Sequence, residues 1–72
     1  MGMVDSVEIG RRLRELRHYR PQREIADAVG VSDSVIGSYE RGERVPSDSV
    51  KVKLAELYGK TVQEIFFDSS AT

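Results

Sequence analysis

The chain contains no cysteine, which excludes disulfides, thiolate metal sites and a cysteine nucleophile. No apolar run approaches the roughly 18 residues that a membrane-spanning helix needs, so no membrane partner is expected. The opening MGMVDSVEIG lacks the apolar stretch of a secretory signal. Histidine occurs once, as His18. A lone histidine without cysteines or clustered carboxylates is no metal site. No histidine or lysine is spaced to activate one of the serines as a nucleophile. Gly42-Glu43-Arg44 lacks the pattern of a phosphate-cradling loop. No catalytic residue, metal ligand or cofactor is therefore expected. Repeats and low-complexity tracts are absent too. Net charge is nearly absent: the formal value of -1 argues against a general polyanion binder.

The distribution of that charge is less even. Between Ile9 and Arg23 six arginines (Arg11, Arg12, Arg14, Arg17, Arg20 and Arg23) face Glu15 alone, and the stretch from Arg41 to Lys53 is again basic. A chain that is neutral as a whole can still present one basic face.

Seventy-two residues make one domain. A core this small seldom supplies more than ~3–5 kcal/mol, so a partner surface would help. In chain order, Asp5 with Glu8 matches a capping box, and Val4 with Ile9 a hydrophobic staple. Helix 1 is predicted from about Ser6 to His18 or Tyr19, with Ile9, Leu13 and Leu16 inward. Pro21 ends it, because proline disfavours α conformation at Arg20. Ser47 is expected to cap a helix over about 48–58, with Val50, Leu54, Leu57 and Tyr58 inward and Lys51 and Lys53 near the surface. Gly59 stops it. Thr61 with Glu64 is a second capping box, opening a short helix over about 62–67. Phe66 and Phe67 are adjacent, so one helix cannot bury both equally; Phe67 is the candidate for a partner. Residues 68–72 form a polar tail.

The centre of the chain carries the strongest signal. Gln22 to Val29 reads as a helix that Gly30 stops. Ser32 is a good N-cap for a second helix reaching roughly Arg41, where Gly42 follows. Ile25, Val29, Val31, Ile36 and Tyr39 fall where two crossed helices bury side chains, and Ala26 is small where they approach. Two short helices joined by a tight, glycine-containing turn make a helix-turn-helix. In that motif the second helix lies in the major groove of DNA. Its outward positions are Asp33, Ser34, Gly37 and Ser38, with Val35 at the margin. Serine is a promiscuous reader; Val35 could touch a thymine methyl, and Asp33 could accept from cytosine N4. A helix dipole also favours Asp33 without any DNA. Gly37 either lets something approach closely or is merely tolerated, at a cost of about 1 kcal/mol. This face carries no Gln, Asn or Arg for bidentate readout, so DNA shape should carry more of the specificity.

Gln22, Ala26, Gly30, Ile36 and Tyr39 resemble the spaced signature of the lambdoid phage repressor and Cro family, also called XRE. The likeness extends to YERGERVPS (39–47) and LAELYGKTVQEIFF (54–67), from about Ile9 to Phe67. The resemblance implies an all-α, five-helix lambda-repressor-like DNA-binding domain with the helix-turn-helix at helices 2 and 3. It implies that Asp33, Ser34 and Ser38 read bases. It implies that Gln22, at the start of helix 2, and Arg41 and Arg44, in the loop after helix 3, hold phosphates; Arg23 is a weaker candidate. It further implies a salt bridge between Arg17 and Glu40, with Arg17 also near a phosphate. The family usually has a connector about two residues longer before helix 2, and Thr or Ser where this chain has Pro21.

The function so implied is sequence-specific double-stranded DNA binding by a transcriptional regulator in the cytoplasm, at the nucleoid. It would be a dimeric repressor occupying a pseudo-palindromic operator, with helix 5 and Phe66–Phe67 as the dimer surface. Two other readings share the fold. One is an antitoxin or phage accessory regulator that also binds a protein partner or antirepressor. The other is an interaction module that has lost DNA binding.

Overall fold

The computed structural model describes residues 4–67. The expected polar tail at 68–72 lies outside them. Five α-helices are found among the described residues: α1 (Ser6–Arg17), α2 (Gln22–Val29), α3 (Asp33–Glu40), α4 (Asp48–Tyr58) and α5 (Val62–Phe66).

Local chemistry sets most of the boundaries. Asp5 accepts the Glu8 N–H at 2.9 Å, so the N-cap forms. The expected return bond from Glu8 is replaced, because its carboxylate takes Arg11 Nη2 at 2.6 Å and Arg12 Nε at 3.0 Å. Two guanidinium groups outcompete one backbone amide. The second box is complete: Thr61 Oγ1 accepts the Glu64 N–H at 3.0 Å, and Glu64 Oε1 accepts the Thr61 N–H at 2.8 Å. Ser47 stands at the α4 N-cap, but its hydroxyl meets Ser49 Oγ at 3.4 Å and caps no helical amide. Gly30 and Gly59 end α2 and α4 with φ of 78° and 68°.

The end of α1 differs from expectation. The helix stops at Arg17, before Pro21 can act. His18 takes φ 58° and ψ −126°, and the Arg20 N–H donates to the Arg17 carbonyl at 3.1 Å, closing a tight turn. Such backbone costs about 1–3 kcal/mol in a residue with a Cβ. The opposing force is Arg17, whose Nη1 donates to the Arg20 carbonyl at 2.8 Å while the rest of its guanidinium is engaged elsewhere.

α3 packs between α1 and α2, while α5 lies on α1 and α4, and α4 reaches α2. Ile9, Ile25, Leu54, Ile65 and Phe66 are the largest fully buried side chains, so every helix except α3 sends one to the centre; α3 contributes Ile36 and Tyr39. Leu16, Val50, Leu57 and Tyr58, expected inward, are half-buried against this core. Gly10 decides how close α1 and α3 come: a Cβ there would lie 2.3 Å from the Glu40 carbonyl oxygen.

Phe66 is fully buried, so the expectation that it forms a dimer surface is overturned. Burying such a ring is worth about 1.5–3 kcal/mol. The helical period sends Ile65 and Phe66 inward and leaves Phe67, in extended backbone, half-buried at the edge. Lys51, expected near the surface, has only 13% of its side chain exposed, with its ammonium 5.7 Å from the Phe66 ring centroid.

Candidate nucleic-acid interface

The arginine-rich stretch does not form one basic face. α1 turns Arg11, Arg12, Arg14 and Arg17 to different sides, as a period of 3.6 requires, while Arg20 lies in the turn after it and Arg23 on α2. Arg12 points away from the helix-turn-helix and donates from Nη1 to the carbonyls of Glu64, Ile65 and Phe67 at 3.2, 3.2 and 3.0 Å, capping the C-terminus of α5. Arg11 pairs with Glu8 and Glu15, and Arg20 with Glu24. Arg11 and Arg12 pull the Glu8 carboxyl down to about 2. Arg14 and Arg17 turn toward Glu40 at the end of α3.

Arg17 and Glu40 form a two-pronged ion pair, with Nε to Oε2 at 2.6 Å and Nη2 to Oε1 at 2.9 Å. The Glu40 carboxylate is 1% exposed. It also accepts from Gln22 Nε2 at 3.1 Å, and Arg14 Nε stands 4.0 Å away. A desolvated carboxylate is tolerable only with such compensation. Its bond to Arg17 raises the pKa of that guanidinium. The neighbouring Tyr58 hydroxyl is pushed up to about 12, first by burial and then by the Glu40 charge. The network fastens the end of α3 to α1 and to the first residue of α2, so the angle between the two motif helices is held by charge as well as by the core.

At the start of α2, Pro21 is the N-cap and offers no side-chain acceptor. The first amides of the helix are left without a capping side chain, a setting that favours an anion. Gln22 stands there with its amide turned toward Glu40. Arg23 is exposed and has no ion-pair partner among the described residues.

Along α3, Asp33 and Ser34 are exposed and Ser38 is half-buried. Val35 is half-buried against the core. The serines are partly engaged with one another: Ser32 Oγ lies 3.1 Å from Ser34 Oγ, and Ser38 Oγ donates to the Ser34 carbonyl at 3.2 Å. Ser32 Oγ accepts the Val35 N–H at 3.3 Å as the N-cap. Gly37 departs from expectation, because it is buried. It does face outward, yet side chains cover it: an added Cβ would meet Arg41 Nη1 at 2.9 Å and the Gln22 amide at 3.6 and 3.7 Å.

After α3, Arg41 donates from Nε and Nη2 to Glu43 at 3.0 and 3.1 Å. The pair lowers the Glu43 carboxyl pKa. Arg44 is exposed and unpaired among the described residues. Asp33, Ser34 and Ser38 thus share one helix face, with Gln22 beside it and Arg41 across it. Sequence reasoning missed the structural roles of Gly10 and Arg12 and the cover over Gly37. Only the last had a sequence signal, the i, i+4 spacing of Gly37 and Arg41.

A family model described as a helix-turn-helix domain matches residues 8–65. The cryptic phage CTXphi transcriptional repressor RstR of Vibrio cholerae is 35% identical over 60 residues, covering 81% of this chain and 54% of that protein. The chain therefore spans about half the length of this curated relative. The restriction-modification controller protein C.AhdI from Aeromonas hydrophila superposes with a TM-score of 0.73 at 37% identity, covering 83% of this chain and 94% of that one. The P22 c2 repressor, solved in complex with synthetic operator 9T, gives a TM-score of 0.77 at 25% identity over 79% of this chain and 89% of its own. With the helix-turn-helix, the flanking helices and these likenesses together, the chain belongs to the lambda-repressor-like, or XRE, family of helix-turn-helix domains.

Proposed function

We propose that this chain is a DNA-binding unit, with its core over residues 9–67, that recognises a specific double-stranded sequence and regulates transcription as a dimeric repressor. The observation that carries the reading is the exposed face of α3, where Asp33, Ser34 and Ser38 share one side. In a helix-turn-helix this face enters the major groove. Val35, half-buried, contributes at most its outer methyl. Gln22 and the uncapped amides of α2 bind a phosphate on one flank, with Arg23 beside them. Arg44 holds the backbone on the other. Arg17 acts mainly through Glu40, which keeps Gln22 in place. Phosphate contacts of this kind set the register, and base contacts specify.

Repression follows from occupancy. Two copies on a two-fold operator, with half-sites about 34 Å apart, exclude another factor from the same DNA. With Phe66 committed to the core, Phe67 and the outer side of α5 are what remains of the expected dimer surface. Relatives named as repressors and a neighbour solved on operator DNA support the regulator reading. Such a protein works in the cytoplasm, on the nucleoid.

The test is selection from a pool of random duplexes at about 100 mM salt, with sequencing of the bound fraction. Recovery of a palindrome with half-sites one helical turn apart is the expected result. Binding through about 6–10 phosphates should also weaken by roughly 10³–10⁵ between 50 and 200 mM salt. A folded protein that enriches no sequence would refute the proposal and turn attention to a protein partner.

A further inference from the structure

The recognition face is better armed than its own side chains suggest. Residues four apart on a helix stand one above the other, and long side chains lean back toward the N-terminus. Arg41 therefore overlies Gly37, and because glycine has no side chain the guanidinium reaches into the gap. The 2.9 Å from Nη1 to the position of an absent Cβ measures how fully it occupies that place. The Gln22 amide borders the same gap at 3.6 and 3.7 Å. Around the helix Gly37 falls between Asp33 and Ser34, within the proposed base-reading face.

Glu43 fixes the orientation of Arg41. It accepts from Nε and from Nη2, using one edge of the guanidinium. Five donors are available on that group. Both donors of Nη1 and one of Nη2 remain, and these form the end-on fork that matches the O6 and N7 acceptors of guanine. A phosphate clamp would be poorly made this way. The Arg41–Glu43 pair is electrically neutral, and it would carry a carboxylate toward the DNA backbone.

On the reading that α3 enters the major groove, we infer that Arg41 is a base-reading residue. It would recognise a guanine in each half-site through the notch at Gly37, with Glu43 as its positioning residue. Gly37 is then a specificity-determining residue through the side chain it lacks.

The test compares the wild type with Arg41→Lys, Gly37→Ala and Glu43→Gln in the same random-duplex selection. Thermal melts show that each variant is folded. The wild type should return a motif with a strongly preferred guanine at one half-site position, discriminated by about 10- to 100-fold. Arg41→Lys keeps the charge but loses the fork, and should lose that preference with the salt dependence unchanged. Gly37→Ala keeps the arginine but fills the notch, and should lose the preference at the same position. Glu43→Gln should weaken it while total binding rises. Retention of the guanine preference in either Arg41→Lys or Gly37→Ala would overturn the inference. A uniform loss across all sequences in an Arg41→Ala control, with the salt slope reduced by about one, would overturn it in favour of a phosphate contact. If the wild type enriches nothing, the DNA-binding reading itself fails, and that result is visible without any variant.

Discussion

Replacing Gly10 by alanine should be among the most damaging single-methyl changes in this molecule. A glycine in a helix interior normally costs about 1 kcal/mol relative to alanine, so propensity alone favours the change. Packing opposes it. The new Cβ would lie 2.3 Å from the Glu40 carbonyl oxygen, and 2.7 Å from both the Glu40 carbonyl carbon and the Tyr39 carbonyl oxygen. Non-bonded carbon contacts settle near 3.5–4.0 Å, so α1 must retreat from α3 by about 1 Å. All three obstacles are backbone at the end of a helix, and none can swing aside. The retreat loosens the packing of Ile9 and Leu13 and lengthens the Arg17–Glu40 pair. Overpacking of this kind costs about 1–3 kcal/mol or more, and disrupting a buried ion pair adds to it. The net expectation is a loss of about 2–4 kcal/mol, most of the stability of a core this size. At about 4–8 °C per kcal/mol, the midpoint should fall by roughly 8–32 °C. Thermal and urea melts followed by far-UV circular dichroism read this directly. The control is Gly37→Ala, another glycine within a helix, where the nearest atom is the tip of a flexible arginine. That variant should melt level with the wild type or slightly above it. A Gly10→Ala protein that melts no lower than the wild type would refute the close-approach argument.

Other perturbations follow from the same geometry. Arg17→Ala leaves the Glu40 carboxylate buried with a weaker set of partners and should cost about 3–5 kcal/mol in a urea melt; a double-mutant cycle with Glu40→Ala should return most of that as coupling. The Glu8 carboxyl is held at about 2, below its ordinary 4.5, by Arg11 and Arg12. A depressed carboxyl stabilises the fold above its unfolded value and loses that effect as pH falls from about 4.5 toward 2, so Glu8→Gln should flatten the acid limb of the melting profile. Phe66→Ala should destabilise by about 3–5 kcal/mol, whereas Phe67→Ala should leave the melt nearly unchanged and weaken self-association in sedimentation equilibrium. His18→Gly should raise the melting midpoint, because it removes the Cβ from a backbone conformation that costs about 1–3 kcal/mol.

Much of the architecture was legible in the linear chain because its signals are local. The boundaries of α2, α3 and α4 follow from Gly30, Ser32 and Gly59, whose caps and left-handed stops act within one turn. The Thr61–Glu64 box acts over three residues and reads equally well. Only half of the Asp5–Glu8 box forms, because a second pair of partners, Arg11 and Arg12, competes for the Glu8 carboxylate. Helix 1 ends at Arg17, short of where Pro21 would stop it. The turn is closed instead by Arg17, whose role depends on Glu40, 23 residues away. The candidate site shows the same division. Asp33, Ser34 and Ser38 are readable as one face from their spacing, while the cover over Gly37 required the relative placement of α2, α3 and the loop after it.

By itself, then, the amino-acid order determined five helices, a helix-turn-helix at 22–42 and the exposed side of α3, since capping and periodicity are properties of neighbouring residues. Only the tertiary structure decided which arginines are spent inside the fold, that Gly10 sets the spacing of α1 and α3, and that Gln22 and Arg41 meet over Gly37. Those outcomes depend on which distant groups share one small volume, where a carboxylate or carbonyl satisfied by one partner is withdrawn from every other.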